Sequence, residues 1–289
     1  MKDVTNKQVG GQPEQEQEKQ PGIESEMKPL PTQPYEYVGS GKLKDRVAII
    51  TGGDSGIGRA VALAYAKEGA HIVVSYLNEH NDAKETQKMI EAEGVRALLI
   101  AGDVSDEAIC QKIVDDTLAV FDKIDIVVNN AAVQYPVDSL LDISTEQWHK
   151  TFRTNIDPVF FLTKFALPYL KKGSSIISTT SINPYKGNPQ LIDYTATKGA
   201  IVGFTRSVAQ SVAEQGIRVN MVAPGPIWTP LIPSSFDAEK VGEFGTDTPM
   251  KRPGQPSELA GAYVLLASEE SSYITGQCIH VNGGGIMHS

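Results

Sequence analysis

Short apolar segments alternate with longer amphipathic segments from Leu43 onward. Segments such as RVAIITGG, HIVVSYL and SSIISTTS are rich in β-branched residues, and each precedes a stretch whose apolar residues recur with helical spacing. Strands and helices that alternate in this way favour right-handed crossovers and a parallel sheet covered on both faces. The pattern predicts an α/β fold, with a single doubly wound domain over residues 41–289.

Residues 1–40 have a different composition. They are rich in Gln, Glu, Lys, Pro and Gly, and no aromatic residue precedes Tyr35. Because such a segment has little apolar surface to offset its ordering entropy, we expect a polar, mobile N-terminal arm. The last part of the arm carries Tyr35, Tyr37 and Val38, which would let it lie against the domain or a neighbouring subunit.

Composition and charge exclude several classes of function. The formal net charge of −9 argues against a nucleic-acid partner, since phosphate binding relies on clustered Lys and Arg. Cys110, Cys278 and the histidines show no metal-ligand spacing. No apolar run approaches the roughly 18–20 residues of a membrane span, and the N-terminus lacks the apolar stretch of a secretory signal. We therefore expect a cytoplasmic protein with no metal and no membrane partner.

The first predicted strand ends in TGGDSGIGRA, where Gly52, Gly56 and Gly58 form the pattern G-x-x-x-G-x-G. Glycines permit a tight turn and let backbone N–H groups and the helix N-terminus approach a pyrophosphate. A glycine-rich turn alone is weak evidence, but between the first strand and the first helix it predicts a dinucleotide site. Ligands of such sheets collect beyond the carboxyl ends of the strands, so functional residues should follow each strand directly.

A helical segment places Tyr194 and Lys198 four residues apart, on one face of the helix. The ordinary interpretation of such a pair is an exposed tyrosine above a solvated lysine. The alternative is a proton donor whose pKa is lowered by the neighbouring positive charge. The other motifs of the chain favour the alternative.

Further motifs follow in order over residues 43–285. They are TGxxxGxG, NNAA at 129–132, Asn155, Ser181, Tyr194 with Lys198, and PGPIWT after the sixth strand. Together these motifs resemble the short-chain dehydrogenase/reductase family, which usually has N-N-A-G in place of NNAA. The resemblance implies a Rossmann domain, and the arm and the glycine-rich loop most resemble bacterial stress-associated or uncharacterised oxidoreductases. The family is usually tetrameric, which implies a homotetramer.

The resemblance implies an NAD(P)-dependent oxidoreductase that transfers hydride between nicotinamide and an alcohol or carbonyl substrate, such as an aldehyde, ketone or sugar. Tyr194 would act as general acid/base, while Lys198 would lower its pKa and bind the nicotinamide ribose. Ser181 would hold the substrate oxygen, and Asn155 would support a proton relay. Pro158 gives the helix break near Asn155 a local cause as well.

The resemblance also implies which residues bind the cofactor and the small-molecule substrate. The cofactor residues are Gly52, Asp54, Ser55, Gly56, Ile57, Gly58, Tyr76, Asp103, Val104, Asn130, Ala131, Tyr194, Lys198, Pro224, Gly225, Ile227 and Thr229. The substrate residues are Ser181, Gln134, Tyr135, Tyr185 and Trp228, together with the long loop rich in Pro and Gly that follows Thr229.

Three questions stay open from the sequence. An acid at the end of the second strand would favour NAD and an arginine NADP, but Tyr76 and Leu77 stand there, so the preference is unresolved. A non-catalytic dinucleotide sensor or scaffold is a second class of function, because a fold does not fix an activity. A lyase or epimerase that uses the cofactor transiently is a third.

Overall fold

The computed structural model describes residues 9–287. The strands are β1 (Val47–Thr51), β2 (His71–Tyr76), β3 (Ala97–Ala101), β4 (Ile126–Asn129), β5 (Ser175–Thr179), β6 (Arg218–Pro224) and β7 (Cys278–Val281). The helices are α1 (Gly56–Lys67), α2 (His80–Ala92), α3 (Glu107–Phe121), α4 (Thr145–Asn155), α5 (Asp157–Ala166), α6 (Asn183–Lys186), α7 (Ile192–Val212), α8 (Ala238–Glu243) and α9 (Pro256–Ala267).

The strands form one sheet in the order β3-β2-β1-β4-β5-β6-β7, and every neighbouring pair is parallel. The direction of winding reverses between β1 and β4, which leaves a crevice at the carboxyl ends of these two strands. The predicted doubly wound α/β fold is confirmed. No helix within residues 9–287 is long and apolar enough to cross a membrane.

Alternate side chains of each strand enter two separate apolar cores. Ile50 of β1 packs in the core that includes residues of α1 and α9, whereas Ile49 packs in the core that includes residues of α3 and α5. All five residues of β1 are buried, as in a central strand covered on both faces. This two-sided core explains why the strands are almost continuously apolar in the sequence.

Residues 9–40 lie against the domain, which differs from the expectation of a mobile arm. Polar contacts hold the segment: the buried Glu24 pairs with Arg59, and the Trp228 indole donates to the Pro29 carbonyl at 2.9 Å. Tyr35 and Val38 are exposed, whereas the predicted contact of Tyr37 is present, since its hydroxyl donates to the Glu68 carboxylate and its ring packs against the core that includes α1. A buried ion pair and backbone hydrogen bonds therefore order a segment that has little apolar surface. Residues 1–8 of the predicted arm lie outside the described residues.

Candidate active site

The glycine-rich loop lies between β1 and α1, at the crevice. Gly52 and Gly56 have φ values of +60° and +51°, a left-handed conformation that favours glycine. A Cβ at Gly58 would lie 1.9 Å from the Gly52 carbonyl oxygen, so only glycine lets the helix begin this close to the strand. The sequence thus makes a tight turn that places the N-terminus of α1 at the crevice, where the Glu24 carboxylate accepts from the Gly56 N–H.

Thr51, the last residue of β1, joins the two strand ends that border the crevice. Its hydroxyl oxygen accepts from the backbone N–H groups of Asn130 at 2.9 Å and Ala131 at 3.1 Å. The Asn130 amide in turn donates to the Thr51 carbonyl at 3.1 Å. Asn130 therefore holds β4 against β1, in addition to lining the crevice.

Most of the predicted cofactor residues line this crevice, which we call the cofactor cleft. Gly58 and Lys198 lie beneath its surface, while Pro224, Gly225 and Ile227 line an adjacent cavity. The residues in the cleft wall are Gly52, Asp54, Ser55, Gly56, Ile57, Tyr76, Asp103, Val104, Asn130, Ala131, Tyr194 and Thr229.

The cleft has room for a ligand because glycine stands where a side chain would fill it. A Cβ at Gly56 would lie 3.1 Å from the Thr229 methyl group, and both residues face the cleft. A Cβ at Gly52 would lie 3.2 Å from the Cα of Ala131. The loop therefore keeps backbone close to the bound molecule, which suits a pyrophosphate at the N-terminus of α1.

Tyr194 and Ser181 meet where the cofactor cleft joins the adjacent cavity. Tyr194 lines both spaces, and Ser181 lines the cavity close enough to Tyr194 to lower its pKa. Ser181 follows β5 directly and is held in place because its hydroxyl oxygen accepts from the Asn183 N–H at 3.1 Å. Its own proton is left for Tyr194 or for a substrate oxygen.

The pKa values of Tyr194 and Lys198 are governed by burial. Burial raises the pKa of Tyr194 to about 12, although the hydrogen bond from Ser181 acts in the opposite direction. Burial lowers the pKa of Lys198 to about 7. The Lys198 ammonium donates to the Thr179 carbonyl at 2.8 Å and lies 5.5 Å from the centre of the Tyr194 ring. The predicted lowering of the Tyr194 pKa by Lys198 is thus absent from this structure, because the lysine itself is desolvated.

Asn155 is the last residue of α4 and is buried. Its side-chain oxygen accepts from the Val133 N–H at 2.8 Å, and its amide donates to the Val133 carbonyl at 2.9 Å and to the Thr197 hydroxyl at 3.1 Å. The side chain therefore ties the end of α4 to the loop after β4 and to the helix that carries Tyr194. Its role in a proton relay stays a prediction.

The adjacent cavity has a volume of about 320 Å³ and opens beside Tyr194. Ser181 and Gln134 lie in its wall, as predicted for substrate residues. The other lining residues that carry polar groups include Asn183, Asn188, Gln190, Lys186, Lys240, Glu243 and Asp247.

Three residues predicted to contact substrate lie outside this cavity. Trp228 is fully buried and packs in an apolar cluster with Met27 of the arm. The Tyr185 ring packs against His280, with centroids 4.6 Å apart. Tyr135 lies under the Lys150 ammonium at 4.8 Å. Trp228 and Tyr185 are held by neighbours far away in sequence and Tyr135 by a residue of α4, and their contact with substrate stays a prediction.

Asp193 is a site residue that sequence reasoning missed. It is fully buried, and its carboxylate accepts from the Thr151 hydroxyl at 2.7 Å, the Gln147 amide at 3.1 Å and the Tyr194 N–H at 2.8 Å. These bonds fix the start of α7 against α4, and with it the position of the tyrosine. A charged residue directly before Tyr194 in the first turn of a helix was the available signal.

Comparisons with known proteins agree with this geometry. A family model described as enoyl-(acyl carrier protein) reductase matches residues 52–285. The chain is 65% identical to a Bacillus subtilis (strain 168) protein named uncharacterized oxidoreductase YhdF, over 96% of this chain and 97% of that protein. It is 50% identical to a carrot (Daucus carota) protein named glucose and ribitol dehydrogenase, over 96% of this chain and 99% of that protein.

A crystal structure of a short-chain dehydrogenase from Burkholderia cenocepacia J2315 in complex with NADP superposes with a TM-score of 0.80. It is 28% identical to this chain and covers 84% of it and 99% of its own length. The chain belongs to the short-chain dehydrogenase/reductase family. This short-chain dehydrogenase/reductase is therefore an NAD(P)-dependent enzyme that acts on small molecules.

The cofactor cleft of this family member fits a nicotinamide dinucleotide. The glycine-rich loop, Ser55 and Ile57 at the start of α1, and Tyr194 all line it, and these are the groups that such a cofactor requires. At the end of β2 the cleft is lined by Tyr76, Leu77 and Glu79. These residues leave the preference between NAD and NADP unresolved.

Proposed function

We propose that this enzyme interconverts an alcohol and a carbonyl compound, with Tyr194 as the general acid/base. The observation that carries the proposal is the position of Tyr194, which lines both the cofactor cleft and the cavity, with Ser181 in the wall of the same cavity. A group that exchanges a proton with substrate must lie within reach of both the substrate and the hydride carrier.

The bound nicotinamide supplies the hydride donor or acceptor of the reaction. With a pKa of about 12, Tyr194 is protonated at neutral pH and is ready to donate to a carbonyl oxygen. The Ser181 hydroxyl donates to that same oxygen and stabilises the negative charge that develops there. For alcohol oxidation Tyr194 has to lose its proton first, so the rate of oxidation should rise with pH.

Lys198 and Asn155 act behind Tyr194 in this proposal. The Lys198 ammonium is near its pKa at neutral pH, so a modest change in surroundings alters its charge. When protonated, it stabilises the phenolate form of Tyr194 and offers a donor to ribose hydroxyls. Asn155 holds the loop after β4 and, through Thr197, helix α7, and it supports the relay of protons.

The cavity wall supports a polyhydroxylated substrate. The side-chain amides of Gln134, Asn183, Asn188 and Gln190 line it, and each can donate to and accept from hydroxyl groups. Its volume of about 320 Å³ suits a small molecule. The carrot relative named glucose and ribitol dehydrogenase supports a sugar or alditol as substrate.

A turnover screen that follows nicotinamide absorbance tests the proposal. NADH and NADPH are offered with aldehydes, ketones and aldoses, and NAD⁺ and NADP⁺ with sugars and alditols. Tyr194→Phe should reduce kcat about a thousandfold, because it removes the proton donor and keeps the ring. Tyr169→Phe, at an exposed tyrosine, is the matched control. Turnover that survives Tyr194→Phe would show that another group transfers the proton.

A further inference from the structure

We infer that the N-terminal arm is part of the cofactor site, as a strap that holds the nicotinamide dinucleotide in its cleft. The inference rests on the proposed function only in that the cleft must bind this cofactor. We call Gln20, Pro21 and Gly22 the strap, since these three residues form part of the cleft wall.

The strap is anchored on the far side of the cleft by two hydrogen bonds. The Gln20 side-chain amide donates to the Gln134 carbonyl at 2.6 Å, and its oxygen accepts from the Gln134 N–H at 3.1 Å. Gln134 lies in the loop after β4 and also lines the adjacent cavity, where the substrate is proposed to bind. A single side chain thus joins the arm to the border between the two ligand spaces.

On the near side, Glu24 anchors the same segment to the start of α1. Its carboxylate accepts from the Gly56 N–H at 2.5 Å and pairs with the Arg59 guanidinium at 2.6 Å. Both charged groups are almost completely buried. Gly56 lies in the glycine-rich loop, so this anchor stands at the phosphate end of the cleft and the strap crosses from there to Gln134.

The strap also packs against the loop after β6, which closes the third side of the cleft. A Cβ on Gly22 would lie 2.4 Å from the Pro230 carbonyl oxygen, and Pro230 lines the cleft as well. The Gln17 N–H donates to the Pro233 carbonyl at 2.7 Å. The arm therefore contacts three walls of the cleft.

The arm is an addition to the domain that the family model describes. That model begins at residue 52, so the arm and the strap lie outside the residues that it matches. The expected effect of the strap is on cofactor retention, because the strap must move before a bound dinucleotide leaves the cleft.

Release of NADH from the full-length protein tests the inference. Bound NADH is followed by its fluorescence in a stopped-flow mixer after a chase with excess NAD⁺, or NADPH with NADP⁺ if that cofactor binds better. Gln20→Ala should speed release about tenfold, since two hydrogen bonds across the cleft are lost. Gly22→Ala should act in the same direction by pushing the strap away from Pro230. Gln12→Ala, in the same arm but outside the cleft wall, should leave release unchanged.

A second readout reports on the strap without any turnover. Trypsin cleaves after Lys19, directly before the strap, and cleavage should be faster in Gln20→Ala than in Gln12→Ala. If Gln20→Ala and Gly22→Ala both release the cofactor at the wild-type rate, with unchanged thermal unfolding, the strap hypothesis is wrong and the cofactor site still stands. Failure of the wild-type protein to bind either reduced cofactor would overturn the cofactor site and the strap together.

Discussion

Two buried cations in this protein have opposite surroundings. The Arg59 guanidinium has Glu24 at 2.6 Å and Asp82 at 3.5 Å, and it also donates to the Asp54 carbonyl at 2.8 Å. The Lys198 ammonium is buried to the same degree but donates only to the Thr179 carbonyl, and within residues 9–287 its pKa reflects burial alone. Carboxylates therefore neutralise the charge of Arg59, whereas Lys198 has only a backbone carbonyl beside it.

This difference in surroundings separates a cation that stabilises the fold, Arg59, from a cation in the proposed active site, Lys198. A buried charge that is paired and fully hydrogen-bonded stays charged, and removing one partner is costly to stability. A buried ammonium without a carboxylate loses its proton easily, which places its pKa near neutrality. The Glu24–Arg59 pair holds the arm in place, whereas Lys198 lies beside Tyr194, the residue proposed to transfer a proton.

Among these variants, Lys198→Met should have the largest effect. The effect should be on activity and not on stability. We expect kcat to fall about a thousandfold, because the phenolate of Tyr194 loses its neighbouring charge. The free energy of unfolding at pH 6 should not fall, since the charge that is removed was buried without a carboxylate to neutralise it. Steady-state kinetics and urea unfolding of the cofactor-free protein measure the two quantities.

The control for this variant is Lys171→Met, at an exposed lysine, which should change neither quantity. If Lys198→Met greatly lowers the free energy of unfolding at pH 6 but leaves kcat unchanged, Lys198 has a structural role and the contrast with Arg59 is wrong.

Glu24→Ala should affect stability instead. It leaves the Arg59 guanidinium buried beside Asp82 only and removes the bond to the Gly56 N–H. We expect a loss of about 3 kcal/mol in the free energy of unfolding, as for other broken buried pairs. Urea unfolding measures the loss, and Glu26→Ala, at an exposed acid two residues away, is the matched control. Equal stability of the two variants would mean that the arm is not docked in solution.

The fold and the reacting end of the site were predictable because their signals are local. Each strand is a short apolar run, and Ser181 and Asn130 follow strand ends directly, so topology brings them together. Tyr194 and Lys198 share one helix face, a relation that spacing alone defines.

What could not be predicted depends on partners far apart in the chain. The docked arm relies on Glu24 meeting Arg59 and on Gln20 meeting Gln134, and neither pairing leaves a periodic pattern in the sequence. The direction of the Trp228 ring is decided by its contact with the arm. The pKa of Tyr194 was expected to fall, but burial, which is a property of the folded state, raises it.

Asp54→Asn should have the smallest effect, and it extends the comparison to a buried acid. Burial, with Glu79 and Asp82 adding to it, raises the pKa of Asp54 to about 7. The folded state then binds more protons than the unfolded state between about pH 4 and 7, so the contribution of Asp54 to stability falls as pH rises through this window. Because Asp54 lines the cofactor cleft and is not completely buried, we expect Asp54→Asn to raise the free energy of unfolding by on the order of 1–2 kcal/mol at pH 8 and little at pH 4. Urea unfolding of the cofactor-free protein at both pH values measures this, with the exposed Asp115→Asn as control. A gain that is equal at both pH values would mean that Asp54 keeps an ordinary pKa.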